Sequence, residues 1–182
     1  MSRRLFVAID VPDSVRETLA GLDPRIHGVR WTEPAQMHLT LGFFGNVPED
    51  VDQLFREKLG AIQFGAFFLP ILQLGSFPPR GMPKIVWIGV GRGHPHLFQL
   101  HKRVQDAALA AGLEPELRPW HPHVTLARCR EVNAAAVRKF LQAHADFDAG
   151  LIRVEAFYLY SSKLTPAGPE HTRELAISST RQ

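Results

Sequence analysis

The stretch Met37-His-Leu-Thr-Leu-Gly-Phe-Phe-Gly45 has a counterpart in Trp120-His-Pro-His-Val-Thr-Leu-Ala-Arg128. Each carries His-x-Thr-Leu, with His38 and His123 85 positions apart and Thr40 and Thr125 separated by the same interval. Alternation of polar and apolar residues reads as a half-buried β-strand, in which residues two apart share a face. Each motif therefore sets an imidazole beside a hydroxyl. The spacing is close to half the chain length, which predicts two similar lobes, each offering one His/Thr pair to a shared cleft.

Outward from the first motif, Leu5 to Ile9 is a short apolar run suited to a buried strand, followed by a turn at Asp10 to Asp13. Ser14 and Glu17 have capping-box spacing, and Val15, Leu19 and Leu22 form one helical face that Asp23-Pro24 ends. The motif strand is expected over 37–44. Pro48, with Glu49, Asp50 and Asp52, opens an amphipathic helix carrying Val51, Leu54, Phe55, Leu59 and Ile62. Strands follow near 66–74 and 84–90.

The second half repeats the theme. Leu97, Leu100, Val104, Ala108 and Ala111 make a helical stripe ended by Gly112, and the second motif strand spans about 123–129. Asn133 caps a helix with Val137, Phe140 and Leu141. Residues 152–160 alternate as one strand, and a last strand is expected near 173–177. The fold expected is α+β and bilobal: two pseudo-twofold-related lobes of antiparallel sheet plus helices around a central cleft, with residues 1–182 forming a single two-lobed domain.

Composition narrows the function classes. With 45% hydrophobic and 21% charged residues, the chain can bury a substantial core. Its apolar runs fall well short of the roughly 18 residues of a membrane helix, and Met1-Ser2-Arg3-Arg4 has no cleavable signal pattern, so a cytoplasmic protein without membrane association is expected. The single Cys129 can form neither an intrachain disulfide nor a thiolate zinc site, and reads as a small buried residue. A formal charge of +3 suits an anionic ligand without demonstrating nucleic-acid binding.

Cleaving a phosphodiester requires a base, an acid and donors to the nonbridging oxygens. Two histidines near their ordinary pKa can share the first two tasks without a metal, and Thr40 and Thr125 can supply the third. A metal site is the chemical competitor, through the His-x-His pairs His121/His123 and His94/His96, but no Asp or Glu joins His38 or His123 within its motif. His94 to His101 lie at the start of a helix and read as surface or capping residues. Phe43 and Arg128 sit five residues past the two motif histidines. Alternation turns both away from the His/Thr face, but a bulge at the small residues Gly42 and Ala127 would re-aim them into the cleft, where together they would sandwich a nucleobase. Arg80, Lys84 and Lys163 would add positive charge to the rim.

With these motifs the chain resembles the two-histidine phosphoesterase superfamily. It is most similar to the RNA 2′,3′-cyclic phosphodiesterases, also called 2′-5′ RNA ligases, through Arg4 to Asp10, Met37 to Gly45, Ile85 to Val90, Trp120 to Arg128 and Leu159 to Gly168. That resemblance implies a bilobal α+β fold and hydrolysis of a terminal 2′,3′-cyclic phosphate to a 2′-phosphate without metal or other cofactor. It also implies the direction: His38 as proton donor and His123 as proton acceptor, a choice the near-symmetry of the motifs leaves open. RNA ends are the expected partners, with no obligatory protein partner and a monomeric state. Departures fall at Gly42, often polar or basic in relatives, and at His171, where relatives frequently carry an aromatic. Three alternatives stand beside this: reverse ligation through a 2′-5′ linkage, another cyclic phosphate such as an ADP-ribose or nucleotide derivative, and a non-catalytic RNA-end-binding module.

Overall fold

The computed structural model describes residues 2–92 and 94–180. The elements in chain order are β1 (Ser2–Asp10), α1 (Asp13–Ala20), β2 (Val29–Trp31), a 3₁₀ turn (Pro34–Gln36), β3 (His38–Pro48), α2 (Glu49–Gly60), β4 (Phe67–Phe77) and β5 (Ile85–Gly89). They continue with α3 (Pro95–Ala110), β6 (His123–Cys129), α4 (Ala134–Ala143), β7 (Asp148–Val154), β8 (Ala156–Thr165) and β9 (Gly168–Ser178). The strands join in the order β7-β4-β5-β6-β3-β1-β8-β9, with β2 alongside β6. All these ladders are antiparallel.

The two motif strands, β3 and β6, are the central neighbours, and four strands lie in line on each side of the seam between them. Leu39 opposite Val124 is the pair recorded across that seam. Both are fully buried, as are Leu41 and Leu126, so the apolar half of each motif faces the core. Helix residues join the same cluster: Val15 and Leu19 from α1, Phe55 and Leu59 from α2, Leu100 and Val104 from α3, Val137 and Phe140 from α4. The amphipathic stripes thus cover one face of the sheet and leave the other to the histidines. Among the described residues no helix is long and apolar enough to cross a membrane.

Several local expectations are corrected. The Ser14/Glu17 capping box does not form: α1 starts at Asp13 behind Pro12, so Ser14 is already inside the first turn and its carbonyl accepts from the Thr18 hydroxyl at 2.9 Å. The run 152–160 is two strands, parted at Glu155. β7 pairs with β4 in one lobe and β8 with β1 in the other. β2 was not expected at all, and β9 is a longer strand than 173–177. Asn133 does cap α4, its side-chain oxygen accepting from the amides of Ala135 and Ala136 at 3.0 and 3.2 Å.

Both motif strands bulge one residue past the threonine. Along β1 and β3 the register shifts between Ala8↔Thr40 and Val7↔Gly42; along β5 and β6 it shifts between Trp87↔Thr125 and Val86↔Ala127. A bulge removes carbonyls from the ladder, and buried ones need other partners. The Leu41 carbonyl accepts from the Gln105 amide at 3.3 Å and is 2.9 Å from the His101 ring, both on α3. The Leu126 carbonyl accepts from the Thr32 amide at 2.7 Å.

Gly42 is what lets α3 approach the first bulge. A Cβ there would lie 2.6 Å from the Phe44 ring and 2.8 Å from the Gln105 amide nitrogen. Phe44 has no slack, since its ring is packed on Phe55 at a centroid distance of 4.8 Å. Gly42→Ala is therefore expected to cost about 1–3 kcal/mol by overpacking, read as a lower denaturation midpoint with an unchanged m-value.

Candidate active site

Antiparallel register about Leu39↔Val124 places His38 across from Thr125 and Thr40 across from His123. Each motif's imidazole therefore meets the other motif's hydroxyl. The four side chains are half-buried on the face opposite the core leucines.

The His123 Nδ1 bonds the carbonyl of His121, two positions earlier, at 2.7 Å, and the backbone of Gln36, likewise two positions before His38, pulls the His38 pKa upward. A ring that donates Nδ1–H to a carbonyl keeps Nε2 as the free, basic nitrogen. Each ring also rests on aromatics. His38 stacks on Phe6 at 4.9 Å, with Tyr160 at 6.4 Å and the His171 ring edge-on at 5.6 Å. His123 meets Phe77 edge-on at 5.1 Å, with Trp87 at 6.3 Å.

These surroundings set the charge state. Burial first, then the nearby His171, lowers the His38 pKa to about 4, while Asp10 and the Gln36 backbone pull it upward. Burial likewise lowers His123, and burial followed by Arg4 lowers His171. These surroundings thus favour neutral imidazoles. Asp10 is paired opposite His38 in β1. It accepts from the Tyr160 hydroxyl at 2.6 Å and from Arg173, which also lies over the Tyr158 ring at 4.0 Å. Burial and this bond to Asp10 raise Tyr160 to about 12, so its hydroxyl stays protonated.

Sequence reasoning missed much of this shell. Phe6 looked like core, yet its ring links His38 to Phe43, the latter stacked at 6.1 Å. His101, read as surface, stacks on Trp120 at 3.9 Å and braces the first bulge, and Trp120 donates to the Thr40 carbonyl at 3.2 Å. His94 does cap α3, accepting from the His96 amide at 3.3 Å. Among the described residues, the buried Nδ1 of His171 and Nε1 of Trp87 have no hydrogen-bond partner, and their rings lie beside His38 and His123 respectively. The His121 and His123 rings are 6.0 Å apart, and among the described residues no His, Cys, Asp or Glu side chains gather in threes as a metal site would require.

The bulges turn Phe43 and Arg128 out of the core: Phe43 is 51% exposed with the Arg4 guanidinium 5.0 Å from its ring centre, and Arg128 is exposed. They do not face each other, which corrects the expected sandwich. Phe43 lies beyond Leu39 toward one end of the seam and Arg128 beyond Val124 toward the other, leaving roughly 20 Å or more of strand between them. The His121 ring packs against Trp87 at 4.6 Å and edge-on to Phe77 at 5.1 Å. Arg80, Lys84 and Lys163 are all exposed.

A histidine held neutral by folding titrates later than in the unfolded chain. The unfolded state takes up its proton as pH falls through about 6.5, whereas folded His38 waits until about 4. Stability is therefore full above that window, falls as pH drops across it, and stops falling on this account below the folded value. In NMR titration of the ligand-free protein His38 should titrate near 4, and His38→Gln should flatten the loss of stability between about pH 6.5 and 4. A His38 midpoint at the ordinary imidazole value would contradict the buried site.

Comparison with known proteins agrees with the duplicated cleft. The family model "LigT like Phosphoesterase" matches twice in succession, over residues 9–87 and 88–171, one match for each motif. An RNA 2′,3′-cyclic phosphodiesterase of Aeropyrum pernix is 36% identical over 142 residues, covering 78% of this chain and 81% of that protein. One of Archaeoglobus fulgidus is 32% identical, covering 91% and 94%. Escherichia coli LigT, solved with 3′-AMP, superposes with a TM-score of 0.82 at 27% identity, covering all of both chains. With a His/Thr pair in each matched half and the same fold throughout, the chain belongs to the LigT-like phosphoesterase family.

Proposed function

We propose that the protein hydrolyses the 2′,3′-cyclic phosphate at RNA ends to a 2′-phosphate, by acid–base catalysis with its own two histidines. One observation carries the reading: two His/Thr pairs crossed over an antiparallel seam, on the face opposite the buried core. Its substrate class follows the names of the relatives, RNA 2′,3′-cyclic phosphodiesterases. All the groups needed come from one chain, and we read residues 1–182 as a single two-lobed unit acting as a monomer in the cytoplasm.

In this mechanism His123 Nε2 takes a proton from water as the water oxygen bonds to phosphorus. The bond from phosphorus to O3′ breaks, and protonated His38 delivers its proton to that oxygen, leaving a 3′-hydroxyl and a 2′-phosphate. Thr40 and Thr125 donate to the nonbridging oxygens as charge shifts onto them. His38 gains its proton on binding, when the anionic phosphate adds its field to that of Asp10. The position equivalent to Asp10, opposite His123, is Gly89, so the carboxylate favours charge on His38 alone. Phe43, exposed with the Arg4 guanidinium beside its ring, stacks the terminal base, and Arg128 is the other substrate-binding residue.

Incubation with an oligonucleotide ending in a 2′,3′-cyclic phosphate, with and without chelator, is expected to give the 2′-phosphate at equal rates. His38→Ala and His123→Ala should each lower turnover by roughly 10² to 10⁴-fold. Near-normal turnover in either variant, or product formed solely as the 3′-phosphate, would sink the mechanism or its direction respectively. Phe43→Ala should raise KM for a nucleotide substrate while sparing a cyclic phosphate that lacks a base.

A further inference from the structure

The two lobes differ in what stands across from the motif histidine. On the neighbouring strand His38 meets Asp10, while His123 meets Gly89. Cross-strand partners share a sheet face and hold their Cβ atoms roughly 4.5–5.5 Å apart, so a carboxylate at Asp10 can reach the His38 ring, and opposite charges so placed attract. The pair nevertheless does not form: among the described residues no ion pair joins Asp10 to His38. One Asp10 oxygen accepts from the Tyr160 hydroxyl at 2.6 Å and the other from Arg173.

Both partners are themselves held. Arg173, paired with Tyr160 across β8 and β9, lies over the Tyr158 ring at 4.0 Å, and the Tyr160 ring stacks on Phe6 at 5.1 Å. Since β1 lies between β3 and β8, these bonds draw the carboxylate to the side away from His38. The remaining groups around the ring act otherwise. His171 on β9 and Arg16 on α1 disfavour charge on His38, and His123 stands across the seam on β6. Arg16 is turned to Asp13 and to the Met37 carbonyl. A direct bond to Asp10 would give His38 a tighter hold on its proton. Held off, the carboxylate acts on the ring through its field, and no bond to it has to break when the proton leaves.

We propose that Arg173 and Tyr160 are positioning residues that clamp Asp10 and keep its carboxylate off the His38 ring. Arg173 acts on His38 through the carboxylate it holds, not by its own charge. The clamp belongs to the first lobe, since Gly89 offers nothing to hold opposite His123. Its use in catalysis, as a device that leaves His38 free to give up a proton, rests on the hydrolase reading above.

The test is an NMR titration of His38 in the ligand-free protein, which needs no substrate. The Arg173 side chain is 52% exposed, so its replacement leaves the core intact. Arg173→Gln should raise the proton affinity of His38 roughly tenfold as the released carboxylate pairs with the ring, and Asp10→Asn should lower it. In the Asp10→Asn background Arg173→Gln should add nothing, because its effect runs through the carboxylate. An equal rise in both backgrounds would show the Arg173 charge acting on His38 directly and would overturn the clamp, as would no rise in either. Rates separate this from the hydrolase reading. The alkaline limb of kcat against pH follows the proton donor in the substrate complex and should move to higher pH in Arg173→Gln. A His38 titration that moves while the limb stays would uphold the clamp and overturn the donor assignment of His38.

Discussion

Antiparallel pairing of β3 with β6 through Leu39 and Val124 governs what the motifs can do. In this direction a His-x-Thr strand meets its copy head to tail, so each imidazole faces a hydroxyl. A parallel pairing would have set imidazole against imidazole and hydroxyl against hydroxyl, and the two rings could not have approached a common phosphate from opposite sides. Burial of the intervening Leu39 and Val124 fixes that register. A one-residue slip of either strand would turn its His and Thr into the core and its leucines into water.

The bulges extend this constraint into the helices. Each bulge frees a carbonyl, and each freed carbonyl is met by chain from the other half. Leu41 is met by His101 and Gln105 of α3, and Leu126 by the amide of Thr32. A buried carbonyl left without a donor costs roughly 1–3 kcal/mol, so separation of the halves is opposed on both sides of the seam. Trp120 adds a third tie, from the approach to β6 to the Thr40 carbonyl within the first motif. The position of the Thr40 hydroxyl therefore depends on residues of the second half, so folding of the two lobes and assembly of the site are one event.

The sequence made the motifs, their spacing and the main helices legible because these are local or periodic signals. Gly42 and Ala127 even marked both bulges, since a small residue beside a motif strand signals close approach. What stayed hidden depends on distant partners. Alternation runs through Glu155 without interruption, and only pairing with β4 on one side and β1 on the other divides the segment into β7 and β8. β2 is too short for any periodic signal and exists because β6 offers it an edge. Equal offsets correctly identified Phe43 and Arg128 as equivalents, but equivalence under a twofold places residues at opposite ends, not face to face. His101 sat within a helical stripe and gave no sign that its ring would meet a carbonyl 60 residues earlier in the chain.

Approximate symmetry in the backbone is then broken by side chains, and the breaks have a consistent sense. Opposite His38 the neighbouring strand supplies Asp10, held by Tyr160 and Arg173; opposite His123 the equivalent strand supplies Gly89, with no side chain to carry charge. Burial lowers the pKa of both rings and favours their neutral form. The difference between the two rings is Asp10 and His171 on one side against His121 on the other. Asp10 favours the imidazolium while His171 opposes it when charged. Burial and then His171 outweigh Asp10 and leave His38 low, while burial followed by Arg4 holds His171 below its ordinary value. The duplicated motif thus meets different surroundings at its two histidines, supplied by residues that the duplication does not repeat.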